Sequence, residues 1–307
     1  MVDFSSATLT REDIRLAVER LVEKGVSHFL PTIVTSPVDV THRNLELIAQ
    51  AMEKEPWGKR MLGIHLEGPF FTKACKGAHP EPYIIDRPDL GLFCDFQDSA
   101  DGKIVLATVS PAIPEAPSFI NALVKMGVVV SLGHHNATTS QLEEAFSAGA
   151  RGITHAGNGW SKDAGKDPRK NSDVLAQLAT DGVYVMVIPD GEHVPAHFIK
   201  YVHKIVEGLR PGHLVLVSDC SPLAGAPEGS YVVYDRLKVD ILRDVTGGLR
   251  GEPLSGSYQL LPQCLDILRK MDVMPEKHIV EGVSSNAIEF LRPALERTGR
   301  FPDLTTL

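Results

Sequence analysis

Apolar runs of strand length alternate with helical patterns from one end of the chain to the other. Strand-length runs fall at Ser27–Val34, Arg60–Leu66, Lys103–Val109, Gly127–Leu132, Gly152–His155, Gly182–Ile188 and His213–Val217. Between them lie amphipathic helical segments. In 11–24 the residues Ile14, Ala17, Val18, Leu21 and Val22 share one face, and Thr10 with Asp13 three residues later is a capping-box-like start. Gln141–Ser147 and Val174–Thr180 read the same way, each ending close to a glycine before the next strand. Continuous apolar strands joined by helical crossovers predict a parallel sheet covered by helices. Polar residues recur at strand C-termini along the whole chain, which favours a (β/α) barrel of the TIM type over an open sheet. The expected domain is a single one spanning 1–307, with no repeat and no low-complexity tract. Seven strands are one short of eight. "MVDFSSAT" reads as the loop after a first strand, so the barrel is expected to lack that strand. The polar, Gly-rich stretch Gly225–Pro253 holds strand-like runs such as Tyr231–Tyr234 and reads as a functional loop or hairpin insertion.

The strand ends carry the candidate chemistry. In "GIHLEGPFF" an apolar run stops at Glu67, just before Gly68-Pro69. A buried carboxylate must be neutralised by a proton, a cationic partner or a metal. Other strand ends supply His134, His135 and Asn136, then His155 and Asn158, Asp190 and His193, and finally Asp219. All would emerge on one rim of a barrel. A carboxylate with two imidazoles from separate strands suits a borderline divalent cation, and makes Glu67, His134 and His155 candidate ligands. Taken singly, each histidine is more often a satisfied polar residue, and Glu67 could pair with an Arg or Lys; the joint occurrence favours metal. Asp219 follows an apolar strand and could take a proton from a water near that metal. As an alternative it would cap a helix, but a Gly/Pro-rich loop follows it. Neither a Gly-x-Ser-x-Gly elbow nor a P-loop is present. His42, His197 and His203 lie on helices without evident partners and read as surface or packing residues.

Composition narrows the classes further. A net charge of −8 argues against a nucleic-acid partner. No apolar run of membrane-spanning length and no signal peptide are seen, and the four cysteines lie far apart. The expectation is a cytoplasmic protein with reduced thiols.

The segments "LPTIVTS", "GIHLEGPFF", "KGAHP", "SLGHHNATTSQLEEAFSAGARGITHAGNG", "PDGEHV", "VSDCSPLAG" and "LSGS" occur in this order. Together they resemble the N-acetylglucosamine-6-phosphate deacetylase family of the amidohydrolase superfamily, over nearly the whole chain. The resemblance implies hydrolysis of the N-acetyl group of an amino-sugar 6-phosphate, with one tightly held divalent ion, expected to be zinc given the His-rich shell. It implies Glu67, His134 and His155 as ligands, Asp219 as general base and acid, and His79 as the residue polarising the acetamide carbonyl. Asn158, Gly159 and His193 match sugar-phosphate contacts, and Leu254 with Ser255 belongs to a loop near the sugar. A homodimer is compatible with this family.

Departures from the family pattern are equally legible. The His-x-His strand that opens most amidohydrolase barrels is absent, as is the small β-sandwich domain. "GKDP" places Lys166 where the family often has a phosphate-binding Arg, a point charge in place of a planar fork. "HAGNGW" is smaller than the family's usual run, which leaves the sugar open. Three functions therefore stand: the deacetylase named above, a deacylase of another N-acyl sugar or cyclic amide, and a non-catalytic remnant that at most binds sugar phosphate.

Overall fold

The structure is a computed structural model that describes residues 1–159, 177–234, 237–243, 249–252 and 255–302. Seven strands run in sequence order through one parallel sheet: β1 (Thr32–Val34), β2 (Ile64–Glu67), β3 (Ile104–Val109), β4 (Val129–Leu132), β5 (Gly152–Ile153), β6 (Tyr184–Val187) and β7 (Leu214–Leu216). Every expected strand is present, several in shortened form. The first shrinks to three residues plus a lone bridge from Phe29 to Met61, because Pro31 between them has no N–H to donate. Residues before β2 wind instead into a tight helical turn, Pro56–Arg60. The fifth ends two residues early, where the backbone of His155 turns to φ 31°.

α1 (Arg11–Glu23) precedes β1, and helices fill crossovers between the strands: α2 (Val38–Lys54), α3 (Leu90–Ser99), α4 (Ala116–Lys125), α5 (Thr139–Ser147) and α6 (Ala196–Leu209). The Thr10–Asp13 capping box at α1 forms as expected, and Ile14, Ala17, Val18 and Leu21 turn inward. Of the helix expected at Val174–Thr180, the part before Gln177 lies outside the described residues. Within 225–253 the chain builds a second, antiparallel sheet from β8 (Gly229–Val233), β9 (Leu237–Arg243) and β10 (Leu249–Glu252), in the order β10-β9-β8. The insertion is thus a small sheet and not a loop.

Three more helices follow: α7 (Leu261–Met271), α8 (Glu276–Gly282) and α9 (Ser285–Thr298). The last one matters most to the site. Phe290, Leu291, Ala294 and Leu295 of α9 pack with Leu62, Val105, Val129, Tyr184 and Val215 from or beside five strands. Gly152 lacks a side chain because a Cβ there would lie 2.7 Å from the Phe290 ring. Arg297 extends this plug, donating from Nε to the Gly127 carbonyl (3.1 Å), and from Nη1 and Nη2 to those of Gly102 (2.6 Å) and Ile104 (2.9 Å). The strands are therefore gathered at their N-terminal ends, and their C-terminal ends open on the other side. Parallel strands in sequence order with helical crossovers are an α/β fold of the TIM type.

Removing the Arg297 fork tests this arrangement. Arg297→Ala should lower unfolding stability by about 2 kcal/mol, the scale of partly exposed hydrogen bonds from a charged donor. Urea titration with an unchanged m-value is the check, and an unmoved midpoint would show that the fork holds nothing.

Candidate active site

Register brings the chemistry together. Val34 pairs with Glu67 and Glu67 with Thr108, so the C-terminal ends of β1, β2 and β3 lie level. Glu67 is buried, and three imidazoles point at its Oε1: His155 Nε2 at 3.0 Å, His134 Nε2 at 3.1 Å and His79 Nε2 at 3.7 Å. Glu67, His79 and His134 each offer a ligand atom within 4.8 Å of the others. His134, His155 and Asp219 all adopt positive φ (51°, 31° and 46°), a strained conformation for residues with side chains. Three strand ends thus bear strain at the positions that aim these groups.

The fixed neighbours of the rings distinguish them. His134 Nδ1 lies 2.9 Å from the Cys75 carbonyl, which can only accept. That nitrogen must carry the proton, and neutral His134 then presents a bare Nε2 lone pair to the Glu67 carboxylate. Burial holds His134 down to about 4, so the ring is neutral near pH 7. A lone pair facing a carboxylate oxygen at 3.1 Å is repulsive unless a cation attracts both. His79 is the opposite case. The backbone N–H of Thr35 donates to its Nδ1 (3.4 Å), and the Thr35 hydroxyl lies 3.0 Å from the same atom. His79 therefore keeps its proton on Nε2, directed into the site as a donor.

The charges agree with this reading. Burial alone would raise the Glu67 carboxyl, but the imidazoles of His134, His155 and His79 outweigh it and hold the group well below the usual carboxylate value. Burial disfavours the His155 cation, yet the Glu67 hydrogen bond and nearby Asp219 raise it to about 9. Its Nδ1 is buried with no hydrogen-bond partner among the described residues. Asp219 is raised, first by burial and then by repulsion from Glu67. The His155 cation stands beside Glu67, and a divalent cation would supply such charge more strongly than a proton. Glu67, His79 and His134 stand close enough together to hold a metal ion, and the His134 lone pair suits one, while His155 lies against the same carboxylate oxygen.

Below the rim lies a polar layer that the sequence reading did not identify. His65 Nε2 sits 2.8 Å from the Thr108 hydroxyl and Nδ1 3.2 Å from that of Thr32, while Thr108 reaches Ser131 (3.2 Å) and Thr154 (3.0 Å). Its signal was a polar residue recurring near the end of apolar strands. Thr35, in the quoted "LPTIVTS", was likewise given no role.

The remaining candidates divide. Asn158 and Gly159 follow β5 beside His134 and His155, and a Cβ on Gly159 would come within 3.0 Å of the His134 ring. His193 is fixed by Asp190, whose carboxylate accepts from the ring (2.8 Å) and from the His193 backbone (3.0 Å). Ser255 is buried, its hydroxyl 3.0 Å from that of Tyr258. Asp219 caps no helix; Cys220 bridges to Ser257 and the Ser257 N–H donates to the Asp219 carbonyl (2.7 Å). Lys166 and Leu254 lie outside the described residues. Two histidines read as lacking partners have them: His42 contacts Ser99 (2.8 Å), and His203 contacts His278 (2.8 Å). Contacts between elements far apart in sequence are invisible to a reading of one helix at a time.

No protein-family model matches the chain. A curated relative from Rattus norvegicus, an N-acetylglucosamine-6-phosphate deacetylase, is 32% identical over 97% of this chain and 72% of its own. The chain belongs to the N-acetylglucosamine-6-phosphate deacetylase family. Another member of the wider group, an N-acetylgalactosamine-6-phosphate deacetylase from Escherichia coli O157:H7, is 33% identical over 78% of this chain and 62% of its own. Among solved structures, the family's Mycobacterium smegmatis enzyme, in complex with N-acetyl-D-glucosamine-6-phosphate, superposes with a TM-score of 0.81. It is 26% identical and covers 94% of this chain and 73% of that one. Among the described residues, no helix is long and apolar enough to cross a membrane, and all four cysteines are unpaired.

His65 gives the family site a measurable acid sensitivity. Burial lowers its folded-state value from 6.5 to about 4, although Glu67 pulls the other way. The unfolded chain therefore binds a proton first, and stability is lost as pH falls from about 6.5 to about 4. Unfolding free energies of the wild type and His65→Gln over that window should differ in slope, the variant being flatter; parallel slopes would remove His65 from the acid response.

Proposed function

We propose that the protein hydrolyses the N-acetyl group of N-acetylglucosamine 6-phosphate, giving glucosamine 6-phosphate and acetate in amino-sugar catabolism. The observation that carries this reading is the opposed orientation of two histidines on one carboxylate. His134 offers a lone pair beside Glu67, whereas His79 offers an N–H. Glu67, His134 and His155 would hold one divalent ion, with zinc the expected occupant of such a His-rich set. When bound, that ion supplies Lewis-acid polarisation of the amide carbonyl and makes a nearby water more acidic.

The protein's own groups perform the rest. His79 Nε2–H donates to the carbonyl oxygen as negative charge develops there, with Thr35 holding the ring in the tautomer required. Asp219 accepts a proton from the attacking water and returns it to the departing amine. Its raised proton affinity suits both halves of that exchange. Asn158 and Gly159 after β5, and His193 braced by Asp190, line the side where the sugar phosphate would lie. Lys166, Leu254 and Ser255 complete that side in this reading. It takes 1–307 as one domain acting in the cytoplasm on a small sugar phosphate, with neither nucleic acid nor membrane as partner. A second substrate, the galactosamine epimer, is favoured by the 33% identity to the Escherichia coli relative.

Two measurements test the assignment. Purified protein should contain about one equivalent of divalent metal, reduced in Glu67→Gln together with turnover. Asp219→Asn should keep its metal while kcat falls by roughly 10²–10⁴, the scale of lost general acid–base catalysis. Absence of metal in active wild type, or loss of metal in Asp219→Asn, would overturn the division of roles.

A further inference from the structure

Asp219 stands just beyond the end of β7, the last strand in the order of the parallel sheet. Its φ of 46° is one that a residue with a side chain keeps only where its surroundings enforce it. Neighbouring backbone does so here. The Ser257 N–H donates to the Asp219 carbonyl (2.7 Å), and the Ser221 N–H donates to the Ser257 carbonyl (2.7 Å). Cys220 and Ser257 form a parallel bridge, and the Gly225 N–H donates to the Tyr258 carbonyl (3.2 Å). Segment 255–258 thus runs beside the chain that carries Asp219 as a short strap, and supplies the pairing that a further strand would give.

The strap is itself anchored. Ser255 and Ser257 are buried, and Ser257 Oγ accepts from the Gln259 N–H (3.2 Å). Helix α7 follows at once, with the Leu260 N–H donating to Gln263 Oε1 (2.9 Å). Tyr258 packs with Val233, Val239 and Ile241 of the inserted sheet, and Leu223 and Ala226 from the chain after Asp219 rest on the same cluster. The inserted sheet therefore presses the two segments together. Gly256 lies where they meet, at φ 79°. A Cβ there would come within 2.7 Å of the Asp219 carbonyl oxygen and 3.2 Å of the Ser221 nitrogen. Both are backbone atoms, which cannot swing aside as the end of a long side chain can. A side chain at 256 must push off the strap or displace the Asp219 peptide.

We infer that this strap aims the general base, with Gly256 and Ser257 as positioning residues that act on the reaction through the Asp219 backbone. The inference rests on the reading of Asp219 as base and acid given above. A carboxylate that must meet first a water and then the departing nitrogen has to be held to within about 0.5 Å of its productive place. The segment "LSGS" then serves the base, and the inserted sheet acquires a task without contributing a reacting group.

The test is a double-mutant cycle on metal-loaded protein with N-acetylglucosamine 6-phosphate. Gly256→Ala should lower kcat by about 10²-fold, the cost of a misplacement of roughly 1 Å, while metal content and KM stay nearly unchanged. In an Asp219→Asn background the same substitution should cost almost nothing more, because no base is left to misplace. A general packing defect would lower both by the same factor. Hydrogen exchange of the wild type needs no variant: the Ser221 and Ser257 amides should exchange as slowly as that of Val217, which donates to the Val187 carbonyl within the sheet. Unchanged kcat in Gly256→Ala, equal losses in both backgrounds, or free exchange at Ser221 and Ser257 overturns the strap alone. Should Gly256→Ala fail to fold, the exchange rates decide. Wild type that leaves the amide intact, or Asp219→Asn with full kcat, overturns the assignment of the base, and the role of the strap with it.

Discussion

A carboxylate buried at the end of β2 governs the site. Glu67 is 4% exposed, and isolated burial of such a charge is prohibitive without compensation. The structure meets that demand by bringing imidazoles from three other segments onto one carboxylate oxygen. Two of the rings are then held from behind, His134 by the Cys75 carbonyl and His79 by Thr35. These outer contacts set whether the inward Nε2 carries a proton, and so separate an electron-pair donor from a proton donor. Two chemically identical side chains acquire different uses from one backbone carbonyl and one backbone N–H.

Holding such a cluster requires rigid strands, and rigidity is supplied from the opposite end. The α9 plug and the Arg297 fork bind the strand beginnings, leaving the C-terminal ends free to carry strain. His134, His155 and Asp219 adopt positive φ there, a cost that the packed sheet must bear. Fold and chemistry are thus divided between the two ends of the same strands.

Much of this was legible in the chain. Strand positions followed from apolar runs, and Glu67, His134, His155 and Asp219 stood out because polar residues ended those runs. The order of the strands followed from the helical crossovers between them. What stayed hidden were contacts that depend on three dimensions. Nothing near Thr35 in sequence indicates that it holds His79, 44 residues away. The plug by α9 was invisible for the same reason, since its amphipathic face names no partner. The insertion at 225–253 was recognised as strand-like, but its placement of Tyr234 beside the β1 end was not. Strand lengths erred where Pro31 and the turn at His155 overrode the apolar pattern.

The central proposal is that Glu67 and the lone pair of His134 hold a divalent cation, with His155 as the third ligand. The most direct measurement is anomalous diffraction at the metal edge from crystals of the zinc-loaded protein. The account predicts one peak within about 2.0–2.2 Å of a Glu67 oxygen, His134 Nε2 and a His155 nitrogen, with His79 outside coordination distance. A peak ligated by His79 in place of His134 or His155, or no peak at Glu67 in catalytically active protein, would contradict it.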